Sequence, residues 1–405
     1  MPATSTVPPT AQLRRARAAV AACFFVNAVL YADLVPRLPE LKADLGLSNA
    51  SLGAALAALP LGALLSGLSA ASLIRRFGSA RVASGGLTLL AAAVWGAASA
   101  PNWAALAGAL LLAGALDAVV DVAQNAHGLR VQRAYGRSIL NAFHGVWSIG
   151  AVTGGLLGSA AAGLGLPLPV HLGIVGALFG VPALFGPRAL LPGPDDADRP
   201  DDPVAESAPP LSLRRTAIRT MAALGILAAC GAFVEDAGNS WSALYLRDDL
   251  AAGAAVAGLG FVALSAAMTI GRLTGDRVVD RFGERRVVRV GGALTAAGMG
   301  LALALPSVPT AVLGFGLAGL GVATLVPAVY HAADELPGLP RGLGLAVVNW
   351  LLRIGFLLSP PLVGVLADAF SLRVALLTVV LAGLGALVLG RVLPGLPKSH
   401  SRAIG

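Results

Sequence analysis

The 405-residue sequence predicts an all-α integral membrane protein, with twelve transmembrane helices in two pseudo-symmetric six-helix bundles. Three observations predict it: the composition, the placement of the basic residues, and a repeat relating the two halves. Hydrophobic residues make up 56% of the chain and charged residues 12%, and the mean hydropathy is +0.78. A soluble domain carries about twice that share of charge. This chain could not cover a water-facing surface, so a soluble enzyme is excluded. The net charge of +8 is no sign of nucleic acid, because the basic residues sit in short clusters between apolar stretches.

A spanning helix needs about 20 mostly apolar residues. Twelve such stretches read at 15–36, 49–74, 80–100, 102–128, 138–164, 168–188, 216–246, 254–275, 286–305, 309–332, 342–367 and 371–393. The first 12 residues are a polar, Pro/Thr-rich tail, and the apolar stretch after it is long enough to span, so no cleavable signal is expected. Arg14, Arg15 and Arg17 precede span 1 and place the N-terminus in the cytoplasm. Alternate loops then carry the remaining clusters, as the positive-inside rule requires. Of the 29 basic residues, 27 of them Arg, only Arg37, Lys42, Arg247 and Arg373 fall in outward loops and only Arg353 inside a span. A single miscounted span would scramble that asymmetry. Both termini are therefore expected in the cytoplasm.

Five segments follow: a tail (1–14), a first bundle (15–189), a linker (190–214), a second bundle (215–394) and a second tail (395–405). The linker mixes six prolines with six acids and cannot bury apolar area, so it is expected to be disordered. The bundles are repeats. Arg76-Phe77-Gly78 returns as Arg281-Phe282-Gly283, Ile149-Gly150 as Ile354-Gly355 and Asp44-Leu45 as Asp249-Leu250, all at an offset of 205. Parallel repeats of this kind produce alternating access around a midplane site.

At this point the chain resembles a major facilitator superfamily transporter over nearly its whole length. The signature loop stands after span 8 as Gly275-Asp276-Arg277-Val278-Val279-Asp280-Arg281-Phe282-Gly283-Glu284-Arg285-Arg286. The resemblance implies a conformational latch of Asp280, Arg281, Gly283 and Arg285, with Asp280 pairing to nearby arginine. The copy after span 2 has Arg75 in the Asp position and keeps only Arg81 of the arginine pair. A closer resemblance is to the fucose/galactose/glucose–proton symporter branch. It is carried by Asp33-Leu34-Val35-Pro36 late in span 1, Asp121-Val122-Ala123-Gln124-Asn125 in span 4, and Asn141 with His144 before Ser148-Ile149-Gly150 in span 5. It implies that Asp33 and Asp121 are the proton-coupling and substrate carboxylates. His144 replaces the polar amide of the sugar symporters, and aromatic residues are 5% of the chain, few for sugar stacking.

A charge in the bilayer core costs at least about 2.5–3.5 kcal/mol, so each one is a functional hypothesis. Asp117, Asp121, Gln124 and Asn125 share one face of span 4, which must line a cavity or another helix. Two carboxylates one turn apart in low dielectric suit a group that loads and releases a proton; the plainer reading is a polar seam between helices. Asn27 and Tyr31 lie one turn apart in span 1. Asp33, near its outer end, is a proton carrier, a helix cap or a partner of Arg37, and Tyr31 is a site residue or an interfacial anchor. In span 7 adjacent residues point about 100° apart, and Glu235 is favoured over Asp236 because Asn239 shares its face. Trp241 reads equally as interfacial belt or substrate platform. Arg353, near the middle of span 11 with Asn349 one turn earlier, pairs with Glu235, Asp236, Asp33 or Asp117, or binds an anionic solute. His144 is a proton relay or hydrogen-bonded packing. Pro360-Pro361 should kink span 11.

No phosphate-cradling loop or metal-spaced Cys/His cluster occurs, so neither an ATP-driven pump nor a cofactor is expected. The reading is a proton-coupled carrier of a small polar solute, sugar or sugar-derived and possibly anionic. It would be a monomer in a bacterial inner membrane whose partners are solute, protons and lipid. The alternative is proton-driven efflux of drugs or metabolites, for which Gly150-Ala151-Val152-Thr153-Gly154-Gly155 resembles the antiporters' span-5 motif, with Ala151 in place of its proline.

Overall fold

A computed structural model describes residues 10–67, 69–136, 139–193, 215–334, 336 and 343–394. All regular structure among them is helical. Twelve helices are long and apolar enough to cross a membrane. In chain order they are α1 (Ala11–Asp44), α2 (Asn49–Ser66), α3 (Ser79–Ala98), α4 (Trp103–Tyr135), α5 (Leu140–Gly163), α6 (Leu168–Arg188), α7 (Arg219–Asp249), α8 (Ala254–Phe282), α9 (Glu284–Ala304), α10 (Val308–Asp334), α11 (Val347–Ala369) and α12 (Leu372–Val392). The tails and most of the linker (194–214) lie outside the described residues.

The helix ends follow local chemistry. Asn102 accepts from the backbone of Ala105 and starts α4; Ser307 and Thr310 form a reciprocal capping box at α10. Pro36 turns α1 through one tight 3-10 turn, Val35–Arg37, without ending it. The helix Leu343–Ala369 runs on through Pro360 and Pro361. The signature segment 275–286 is almost entirely helical: α8 continues to Phe282, Gly283 alone breaks it, and α9 starts at Glu284. A loop was expected there, but the segment's arginines are good helix formers and each aspartate costs only a fraction of about 1 kcal/mol.

Two compact units result, one of residues 1–205 with 253–262, the other of 206–252 with 263–405. In the first unit Phe261, from the start of α8, is buried with Ala28, Ala32, Val35 and Ala151. In the second, Leu224, Leu227, Val329 and Val348 belong to a core that joins α7, α10 and α11 and reaches Val288 of α9 and Ala386 of α12.

The repeat is written into the backbone. Gly78 and Gly283 adopt the same left-handed break, φ 82° ψ 146° and φ 79° ψ 148°, a region that glycine enters without a Cβ clash. A Cβ added to Gly114 would fall on the Leu59 carbonyl, and one added to Gly319 on the Leu264 carbonyl. Both pairs are separated by the same offset of 205, so α2–α4 and α8–α10 make one packing contact twice. Gly319→Leu should force α8 and α10 apart, at a cost of about 1–3 kcal/mol. A detergent melting curve unchanged by that substitution would contradict the close approach.

Candidate functional site

In the first unit the polar residues of α1, α4, α5 and α6 converge in two clusters. In the first cluster, Asn27 on α1 is 4% exposed and holds two other helices. Its Nδ2 donates to Asp117 Oδ1 at 2.7 Å, and its Oδ1 accepts from Trp147 Nε1 on α5 at 2.8 Å. One amide therefore fixes α1, α4 and α5 together, and Asp117 is held by a neutral group. One turn along α4, Asp121 Oδ1 accepts from Asn125 Nδ2 at 2.9 Å and from Gln124 Nε2 at 3.4 Å. The α4 stripe thus divides. Asp117 reaches across to α1, Asp121 gathers amides of its own helix, and Gln124 is buried while Asp121 is exposed. His144 lies edge-on to Phe24 with ring centroids 5.1 Å apart, and Ser148 donates to its carbonyl. Tyr31 packs with the Ala28–Phe261 core. Asn141 is in the first turn of α5, and its side chain lies outside the described residues.

The second cluster surrounds Asp33. It stands where the first α-helical stretch of α1 ends and is fully buried. His171 Nε2 from α6 lies 3.3 Å from its Oδ1. The Nδ1 of the same ring meets Arg37 Nη1 at 3.0 Å. Arginine only donates, so His171 Nδ1 is the acceptor and its proton sits on Nε2, facing Asp33. Arg37, 1% exposed, also donates to Glu40 at 2.6 and 2.8 Å and to the Leu166 carbonyl at 2.6 Å. Asp33 is therefore more than a helix cap, and Arg37 is buried in a 3-10 turn rather than exposed in a loop. The turn at Pro36 carries its guanidinium inward.

In the second unit, Glu235 on α7 is the more accessible of the acidic pair, and Arg272 on α8 meets it at 3.4 Å. Asp236 is 8% exposed, against Ser359 and Ser240, with Oδ2 unpartnered. Asn239 is half-buried. Trp241 is fully buried with its indole N–H unpartnered, which excludes an interfacial belt. Asn349 accepts from Tyr330 of α10 at 2.9 Å. Arg353 lies within one turn of the midpoint of Leu343–Ala369 and within electrostatic reach of Tyr330. No described carboxylate forms an ion pair with it. The four acids expected as partners are engaged elsewhere: Glu235 with Arg272, Asp236 with serines, Asp33 with His171 and Asp117 with Asn27.

A family model described as Major Facilitator Superfamily matches residues 20–245 and 224–404. The chain belongs to that superfamily. An uncharacterised MFS-type transporter of Yersinia pestis is 31% identical over 355 residues, 87% of this chain and 89% of that one. Among solved structures, the nucleoside transporter NupG aligns at TM-score 0.73 and 16% identity, covering 93% of this chain and 98% of NupG. FucP, a fucose:proton symporter of E. coli, aligns at TM-score 0.60 and 19% identity, covering 93% and 97%. This superfamily member is a multi-pass membrane transporter, not an enzyme.

Among the described residues, the superfamily's signature segment shows no latch contact from Asp280. Asp280 forms no ion pair with any described residue. Arg281 stacks on the Phe282 ring at 5.5 Å, and Arg285 donates to the Leu393 carbonyl at 2.7 Å. Sequence reasoning also missed Trp147 and His171, both essential to the two clusters. His171 had a usable signal, as one of only five histidines and set in an apolar span. Trp147 had none, because its role is to satisfy an amide on another helix.

Proposed function

We propose that this transporter is a proton-coupled secondary carrier of a small polar solute, sugar-like and anionic, working by alternating access in a bacterial inner membrane with both termini cytoplasmic. The observation that carries the reading is Asp117. A carboxylate near the middle of an apolar helix is held by an amide and not by a cation, so it can gain and lose a proton without breaking an ion pair. Asp121 lies one turn away and exposed, a route by which that proton is exchanged. Asp33, buried beside His171, is the second coupling carboxylate. The structural likeness to FucP and NupG, titled as fucose:proton and nucleoside transporters, supports a polar solute. Arg353 favours a sugar acid over a neutral sugar, because a guanidinium at membrane depth with no carboxylate partner among the described residues is suited to an anion.

The test is purified protein in liposomes with a trapped pH dye at zero membrane potential, with pooled sugars, sugar acids and amphiphilic drugs added outside. Lumen acidification on adding sugar acids is expected. Acidification by drug-dependent proton leak alone would replace symport with efflux, and uptake that follows sodium without acidification would remove the proton. Arg353→Gln should raise the KM for the sugar acid about tenfold, the loss expected of one charge-assisted contact. Unchanged affinity would sink the anionic reading and leave a neutral solute.

A further inference from the structure

The second unit carries an amphipathic cavity at the arginine-rich end of α8 and α9, remote in sequence from the polar residues discussed above. A basic cavity of about 540 Å³ is lined by Arg285, Arg286 and Arg289 beside Leu387. An adjoining groove of about 460 Å³ is lined by small and apolar residues of α8, α9 and α10, among them Gly275, Val278, Leu294 and Leu320. The two share Phe282, Arg286 and Val290. They form one continuous surface, cationic at one end and apolar along the other. No described carboxylate lines either part.

The arginines are braced as well as clustered. Arg285 and Arg289 each spend Nε on a backbone carbonyl near the end of α12, Leu393 at 2.7 Å and Leu387 at 3.1 Å. Their terminal nitrogens have no described partner, and Arg286 forms no hydrogen bond or ion pair with any described residue. Three guanidiniums are thus held in place with no partner for their terminal donors among the described residues. The repeat-related cavity of the first unit carries Arg75, Arg76 and Arg81 as well as Arg130. There Arg130 directs its terminal nitrogens onto the carbonyls of Leu191, Pro192 and Gly193, so backbone already occupies that cation.

We infer that this surface of the second unit is a binding site for an anionic phospholipid, its phosphate on the three arginines and an acyl chain along the groove past Phe282 and Val290. The charge complementarity decides the class: a zwitterionic headgroup would bring a cation against three others, and an acid of the protein would have to come from elsewhere. The positive-inside asymmetry puts the site in the cytoplasmic leaflet, where a basic residue near the surface strengthens binding of anionic lipid. The inference stands independently of the transported solute.

Native mass spectrometry of the full chain, delipidated and titrated with phosphatidylglycerol or phosphatidylcholine, tests it. Wild type should retain phosphatidylglycerol preferentially. Arg286→Gln should weaken that retention about fivefold, one basic contact's worth. Val290→Trp, which fills the groove without changing charge, should weaken it comparably. Arg277→Gln, altering an arginine that lines neither cavity, should leave it intact and controls for folding. Equal retention of the two lipids, or retention unchanged by Arg286→Gln, overturns the site. Loss on Arg286→Gln alone, with Val290→Trp binding normally or with glycerol phosphate competing as well as the lipid, would show a headgroup-only anion site and overturn the lipid assignment.

Discussion

Asp117→Asn is expected to stop proton-coupled flux while leaving the first unit folded. The substitution is nearly isosteric. The amide oxygen it introduces still accepts from Asn27 Nδ2, and the bond from Trp147 to Asn27 is untouched. What disappears is the carboxylate's charge and its capacity to take a proton. The α1–α4–α5 junction should therefore persist, with a melting temperature close to wild type. Solute-driven acidification in liposomes should fall ~100-fold or more, the range over which a positioned proton-transfer group acts. Solute counterflow, which needs no net proton movement, should survive. Acidification at wild-type rate would remove Asp117 from the coupling path and shift attention to Asp33. Loss of counterflow together with acidification would place Asp117 in solute binding.

The second large effect is on stability. His171→Leu should destabilise the first unit by about 3–5 kcal/mol, the cost of breaking a buried ionic network on one side. The imidazole is the neighbour that faces Asp33, and it is one of three groups accepting from Arg37. A leucine fills similar space and supplies neither atom, so Asp33 is left buried without a donor. His171→Gln restores an N–H toward Asp33 and an oxygen toward Arg37, and most of the loss should be recovered. The apparent melting temperature in detergent reports both variants, with a drop on the order of 10 °C for leucine. If leucine and glutamine melt alike, the contact to Asp33 contributes nothing.

The architecture was legible because spans are a composition problem. Bilayer thickness fixes their length and positive-inside asymmetry their count, and neither needs side-chain packing. The repeat was legible for the same reason: Gly78 and Gly283 are demanded by one backbone break that each copy of Arg-Phe-Gly makes. The site was legible only as an inventory. A run such as Asp117–Asn125 shows that α4 has a polar face, but not that Asp117 turns to α1 while Asp121 stays with its own amides. That division depends on where Asn27 arrives, which three helices decide together. Arg37 misled for a related reason. Positive-inside counting treats a residue beside a proline as loop, whereas the 3-10 turn at Val35–Arg37 keeps the chain helical and carries the guanidinium into the protein. The signature segment was read as a loop because its charges are dense, and density of charge says nothing about backbone once the helix has left the apolar core.

The offset of 205 that superposes Gly114 on Gly319 and Leu59 on Leu264 also sets Asp117 opposite Val322, Asp121 opposite Val326 and Arg353 opposite Ser148. The scaffold was doubled, but its chemistry was not. Carboxylates of α4 belong to one copy alone, and the lone cation of α11 to the other. Such a division of labour separates two traits that a single bundle would entangle. With Asp117 in the proposed coupling role and Arg353 in the proposed solute role, mutations in the later copy could explore new cargo while α4 stays as it is, a change of diet without a rebuilt engine.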